Sequence, residues 1–376
     1  METLTWQQVA AYRRERHALL DRAPQARLVP VASDIAGVHA QLMVAAEVGL
    51  GARVEGITAP DVQAALWVQR TLVKTWAMRG TLHLLPADEL PVYVAAARAS
   101  RMYLFERPVW LRAFQVSRQE LDSVIHGVYT ALDGCVLTRE QLADRVAEIT
   151  GIPHLAERQR SGWVSFLKPC AYHGYLCFGP SQGTNVTFAR PDQWLSGWRD
   201  VDSDEALRHV LRAFLAAYGP ATREEFARWW GYEASKTRPL FKALADELVE
   251  VSIEGQKAWA LGVSLMRLKD LPPPDTVRLL PNFDTYVIAS YRQSALLDPA
   301  HKDRVYQGKN AWFHPTVMAD GRLVGVWTYD RKKTRVEVTV ELFEAATPRL
   351  IRGLEAEAER LGQFWGAPVS LSLSAG

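Results

Sequence analysis

The sequence predicts an α+β fold. One order of elements, helix, helix, then strand-turn-strand, is legible three times, and a strand-rich segment follows a proline-rich link. Each repeat must bury an apolar face against its neighbours, so the repeats decide the architecture. Residues 1–115 hold N-terminal helices and the first repeat, 116–200 the second and 201–270 the third. A β-rich domain closed by a helix occupies 271–376.

An N-terminal helix is expected over residues 3–20, with Trp6, Val9, Tyr12, Leu19 and Leu20 roughly along one face. The first repeat opens on DIAGVHAQLMVAAEVGLGAR, which reads as a single helical stretch. TAPDVQAALWVQR follows, with Thr58 as a cap and Pro60 near the first turn. TLVKTWAMRGTLHLLP then reads as strand, tight turn, strand. PADELPVYVAAARASRMYLF is a helix behind it, bent or restarted at Pro91.

In the second repeat SRQELDSVIHGVYTAL is helical, and LTREQLADRVAEIT carries a capping box, Thr138 with Gln141. A helix over 163–173 leads to a Gly-rich hairpin with Phe178 and Phe188 on its arms. In the third, DSDEALRHVLRAFLAAYG stops at Gly219-Pro220. ATREEFARWWG echoes LTREQLADRV, ASKTRPLFKALADE is a helix bent at Pro239, and LVEVSIEGQKAWAL turns at Glu254-Gly255. Beyond LPPPD (271–275) come alternating strands, a hairpin turn at Asp320-Gly321, the amphipathic PRLIRGLEAEAERLGQFWG and a last strand, PVSLSLS.

The chain has 376 residues, 48% hydrophobic and 23% charged, an ordinary globular composition that needs no staple. No apolar run approaches the ~18 residues of a membrane span and the N-terminus has no signal core, so a cytoplasmic location is expected. Three cysteines, Cys135, Cys170 and Cys177, read as reduced thiols. Cys170, His173 and Cys177 lack a fourth ligand and the usual short spacing, so no metal is expected.

Helix, helix, hairpin is the order of a winged helix-turn-helix, which offers a recognition helix and a wing to duplex DNA. The net charge of +2 excludes a bulk polycation, but Lys and Arg cluster locally. Lys74 and Arg79 flank the first hairpin turn, Lys236 and Arg238 lie on a helix, and Arg331, Lys332 and Lys333 form a basic turn. These are the candidate phosphate contacts, which position a protein without reading sequence. His39-Ala40-Gln41 places two polar side chains in an apolar run, where they need partners.

WAMRGTLHLLP, RLLPNFDTYVIASYR and PTVMADGRLVGVWTYDRKK resemble the AlkZ and YcaQ family of bacterial DNA glycosylases, over nearly the whole chain. The resemblance implies three tandem winged helices in a C-shaped arrangement around DNA. It also implies excision of alkylated purines by a monomer without cofactor, acting on double-stranded DNA with bulky adducts or crosslinks. The family's catalytic motif is Gln, an apolar residue, then Gln or Asp. His39-Ala40-Gln41 stands at the matching position, with His in place of the first Gln. A His-first branch is linked to self-resistance in producers of DNA-alkylating antibiotics, which implies bulky N7-alkylguanine as substrate.

Alkylation at N7 makes guanine cationic, so the base leaves neutral and needs no proton from the enzyme. What remains is to stabilise positive charge on the sugar and place a water at C1′. Gln41 is expected to position that water, with His39 polarising it or holding the adjacent phosphate. On one regular helix the two residues would stand about 200° apart and could not share a water, so either the helix begins near Val38, after Gly37, or one of the two is structural. His83 reads as a satisfied wing histidine and Asp284 as a turn residue or a stabiliser of positive charge. Trp229, Trp230, Trp312 and Trp327 are candidates to stack on a base, with core packing as the default. A bulky adduct resists extrusion, so a basic hairpin tip at 331–333 is expected to probe it. A non-catalytic winged-helix DNA-binding protein, a regulator or a damage-binding decoy, is the competing reading.

Overall fold

The structure is a computed structural model describing residues 2–154, 164–269, 271 and 276–374. The chain divides into two compact units: residues 1–63, 212–226 and 241–376 form one, and 64–211 with 227–240 the other. Part of the predicted helix over 163–173 and most of the proline-rich link lie outside the described residues.

The repeats are present, with one element the sequence did not reveal. In the second, helix Arg118–Ala131 is followed by a two-residue strand, Leu137–Thr138, and helices Arg139–Thr150 and Lys168–Tyr172. The hairpin Cys177–Gln182/Asn185–Ala189 follows, and the short strand pairs with its second arm, Leu137 opposite Phe188. In the third, helices Ser203–Tyr218, Arg223–Trp230 and Thr237–Ala243 precede the hairpin Leu248–Ile253/Gln256–Leu261. There the extra strand shrinks to a bridge, Ala221 to Trp259. Pro239 falls in a helix's first turn, where its missing N–H costs nothing, and causes no bend. The third hairpin turns at Glu254 and Gly255, both in the left-handed region (φ 48° and 90°), as a two-residue hairpin turn requires.

The first repeat departs from the expected long helix. Helix Leu28–Asp34 ends, Val38–His39 is a strand, and a new helix runs from Met43 to Gly51. Ala36 (φ 54°) and Gly37 (φ 96°) both turn left-handed, and their N–H groups return to the Ser33 and Ala32 carbonyls, which closes the first helix. Helix Ala59–Trp67 and the hairpin Leu72–Trp76/Leu82–Pro86 complete the element order.

Among the described residues, the unit containing both termini holds two hydrophobic clusters that position its elements. Strand Glu2–Leu4, expected as helix, pairs in parallel with Val251–Ile253, and helix Trp6–Arg16 starts at a Thr5/Gln8 capping box. Leu4, Val9, Tyr12, Val251 and Ala260 bury together. The C-terminal sheet has the order Val277–Leu280, Thr316–Ala319, Arg322–Arg331, Val336–Leu342, Val369–Ser374; its last pair is parallel, joined through helix Pro348–Trp365. Leu280, Tyr286, Val287, Phe313 and Met318 form the second core.

Glu357 fastens that helix to the sheet. Its carboxylate accepts the Leu279 N–H at 3.1 Å and pairs with Arg22 and Arg360. Burial pushes the carboxyl pKa up, but Arg360, Arg22, Arg278 and the Leu279 N–H outweigh burial and hold it below the ordinary range. A depressed folded value gives stability that is present above the unfolded pKa and lost as pH falls through the folded one. Glu357→Gln is expected to lose about 3–5 kcal/mol at neutral pH and part of the wild type's acid dependence. Urea unfolding between pH 7 and 3 checks both.

Candidate active site

The strand Val38–His39 changes the geometry of the His-Ala-Gln segment. Residues 38–42 are not helical, so the separation of about 200° that a helix would impose does not arise. His39 is 5% exposed, Ala40 is buried and Gln41 is exposed. One member of the pair is therefore embedded and the other meets solvent.

His39 is held from the C-terminal sequence. Its backbone N–H donates to the Thr285 hydroxyl at 3.1 Å. Its ring stacks on Phe283, with centroids 5.2 Å apart and planes 21° apart. Phe283 in turn meets Trp312 edge-on at 4.9 Å, and Trp312 is 36% exposed. A short aromatic chain thus runs from the buried imidazole to a ring in contact with solvent.

The loop that supplies Phe283 and Thr285 is Leu280-Pro281-Asn282-Phe283-Asp284, singled out in the sequence. Phe283 sits in the left-handed region (φ 55°), which a bulky residue enters only when its surroundings impose it. Two contacts do so. Asn282 Nδ2 donates to the Phe313 carbonyl at 3.1 Å. Asp284 accepts both Nη atoms of Arg53, at 2.8 and 2.9 Å, and caps helix Thr285–Ser290 through the Tyr286 N–H at 3.0 Å. Arg53 also donates to the Gly49 carbonyl at 2.9 Å. Both partners are almost fully buried. Asp284 is therefore a cap and ion-pair partner, engaged by a guanidinium.

His83 is buried, its Nδ1 3.0 Å from the Thr81 carbonyl. Trp229, Trp230 and Trp327 are buried in the core; the Trp230 indole N–H donates to Ser100 and that of Trp327 to the Leu280 carbonyl. Of the four candidate tryptophans only Trp312 keeps an exposed face. Burial raises the Cys170 thiol to about 12 and pushes Cys177 up as well, so neither serves as a thiolate.

The candidate DNA contacts differ in accessibility. Lys74 lies 5.3 Å over the Phe178 ring, and Arg79 donates to the Trp229 carbonyl at 2.9 Å. Lys236 sits 3.9 Å over Tyr103 and 3.6 Å from Glu233, while Arg238 is exposed. Arg331, Lys332 and Lys333 stand together on the hairpin tip between the strands ending at Arg331 and starting at Val336, closed by the Lys332 N–H on the Arg335 carbonyl at 2.9 Å. All three are exposed; Arg331 lies over Trp365 at 5.4 Å and Lys332 pairs with Asp330.

Thr285, Phe283 and Arg53 escaped sequence reasoning because each acts across more than 200 residues of chain. The signal available was Asn-Phe-Asp, whose two turn-forming residues flank an aromatic one. Asp284→Asn should strand the buried Arg53 charge, cost about 3–5 kcal/mol and release Phe283 from His39. Denaturant unfolding, with the line shape of the His39 ring protons by NMR, reads the two effects separately.

The AlkZ-like DNA glycosylase family matches residues 32–364. The interstrand DNA cross-link repair glycosylase of Streptomyces sahachiroi is 36% identical, over 96% of this chain and 97% of that protein. The solved structure of Streptomyces sahachiroi DNA glycosylase AlkZ superposes with a TM-score of 0.88 at 34% identity, covering 99% of this chain and all of that one. Among the described residues no helix is long and apolar enough to cross a membrane. Extent, identity and fold agree: the chain belongs to the AlkZ-like family of DNA glycosylases.

Proposed function

We propose that the enzyme is a monofunctional glycosylase that hydrolyses the N-glycosidic bond of bulky N7-alkylated guanine in duplex DNA, including crosslinked forms, and so protects its host from a DNA-alkylating natural product. The observation that carries the chemistry is the contrast at positions 39 and 41: an imidazole fixed by Thr285 and Phe283, and a carboxamide in solvent two residues on. The cationic base departs without a proton donor. Gln41 accepts a hydrogen bond from the attacking water through its carbonyl oxygen and lies beside the positive charge growing on the sugar. His39, neutral, draws the water's proton as the C1′–O bond forms. The rigid seat of His39 supports that role, since a base that need not reorient adds nothing to the barrier. The family name of the Streptomyces relative, a cross-link repair glycosylase, supports a substrate too bulky for a closed pocket.

Lys236, Arg238 and the tip Arg331-Lys332-Lys333 supply phosphate contacts, the tip reaching toward the lesion. The Lys74 and Arg79 side chains are already engaged inside the protein and add to the basic field around it.

Gln41→Ala is expected to slow single-turnover release of an N7-alkylguanine by about 100-fold or more with little change in duplex affinity. An undiminished rate would remove Gln41 from the mechanism. His39→Ala tests the proton step: single-turnover release of the N7-alkylguanine should slow by about 100-fold or more with little change in duplex affinity. Glutamate at 331, 332 and 333 should weaken binding to damaged and undamaged duplex alike and lower the slope of log K against log salt by about 1 or more. Gel-shift titrations at several salt concentrations measure it.

A further inference from the structure

The turn of the first wing, Met78–Gly80, carries an Arg-Gly pair that the hydrolysis leaves unused. Arg79 and Gly80 are both left-handed, with φ 55° and 70°. A side-chain carbon added at Gly80 would lie 3.4 Å from the Tyr172 hydroxyl, 3.5 Å from Arg101 Nη2 and 3.6 Å from Lys168 Nζ. Two cations and a hydroxyl thus converge on one point, and the missing side chain leaves that point unfilled.

Among the described residues no carboxylate pairs with Arg101 or Lys168. Arg101 is only 5% exposed; its Nη1 donates to the Ala77 carbonyl at 3.0 Å, and its buried Nε has no hydrogen-bond partner among the described residues. The Tyr172 hydroxyl donates to the same carbonyl at 3.2 Å. Lys168 is half-buried. Burial and the neighbouring Arg101 charge push its pKa down. Two like charges side by side in a partly dehydrated site cost stability until an anion joins them.

We propose that Lys168, Arg101 and the Gly80 turn form a built phosphate site that takes one backbone phosphodiester of the DNA. Lys168 supplies a mobile point charge and Arg101 a fixed donor through Nη2, and the two can share the non-bridging oxygens of one phosphate. Arg101 is anchored before the ligand arrives, so little ordering is left to oppose binding. The choice of DNA as the phosphate's source rests on the glycosylase reading; the anion site itself does not.

The test uses the full chain, an undamaged labelled duplex, and the variants Lys168→Gln and Lys168→Arg. Arg101 is left intact because it holds the Ala77 carbonyl. Lys168→Gln should bind duplex about ten-fold more weakly at low salt, with a slope of log K against log salt shallower by about 0.9, the loss of one phosphate contact. Lys168→Arg should restore the slope. In a second arm, inorganic phosphate should raise the melting temperature of the wild type and not of Lys168→Gln. Equal slopes and affinities in wild type and Lys168→Gln, with phosphate stabilising both alike, would overturn the site. A phosphate effect specific to Lys168 with equal slopes would keep an anion site and overturn DNA as its source. Failure of the wild type to bind any duplex would count against the glycosylase reading, and the phosphate arm would still decide the site.

Discussion

The candidate site depends on one buried ion pair. Arg53 and Asp284 are 231 residues apart in sequence and meet through two short hydrogen bonds with almost no access to water. A pair so buried is not there for net stability, since a well-packed apolar pair of the same size would do as well. Its value is direction. Asp284 serves Arg53 and caps its helix while Phe283 holds the left-handed backbone, and the Phe283 ring lies on His39. The Thr285 hydroxyl, one residue further, takes the His39 N–H. An electrostatic constraint far from solvent is thereby converted into the placement of an imidazole.

Much of the fold can be read from the sequence because its signals are local. Capping boxes at Thr138 and Thr222, the left-handed pair Glu254-Gly255 and the stop at Gly219-Pro220 act over a few residues and announce themselves in single-letter code. The short first strand of the second repeat does not, because two residues carry no periodicity and are strand only by virtue of a distant hairpin. Leu137 is extended because Phe188 lies opposite it. The same blindness produced the single long helix expected through His39, where helix-forming composition on both sides hides the left-handed break at Ala36 and Gly37.

The site divides in the same way. His39 and Gln41 are legible as polar residues out of place and through a family motif. Which of them meets solvent is not, because burial at 39 depends on residues 283–285. The tryptophans make the point from the other side. Four were candidates for stacking on a base, and composition could not separate Trp312, with its open face, from three that fill the core.

The unit that carries His39 is a discontinuous one, assembled from the first 63 residues and the last 136, with a short middle piece, whereas residues 64–211 are continuous. The first strand waits for Val251–Ile253 and the imidazole waits for Phe283 and Thr285. A nascent chain leaving the ribosome therefore cannot seat the imidazole until residue 285 has emerged, and a fragment cut short before Thr285 lacks that seat altogether.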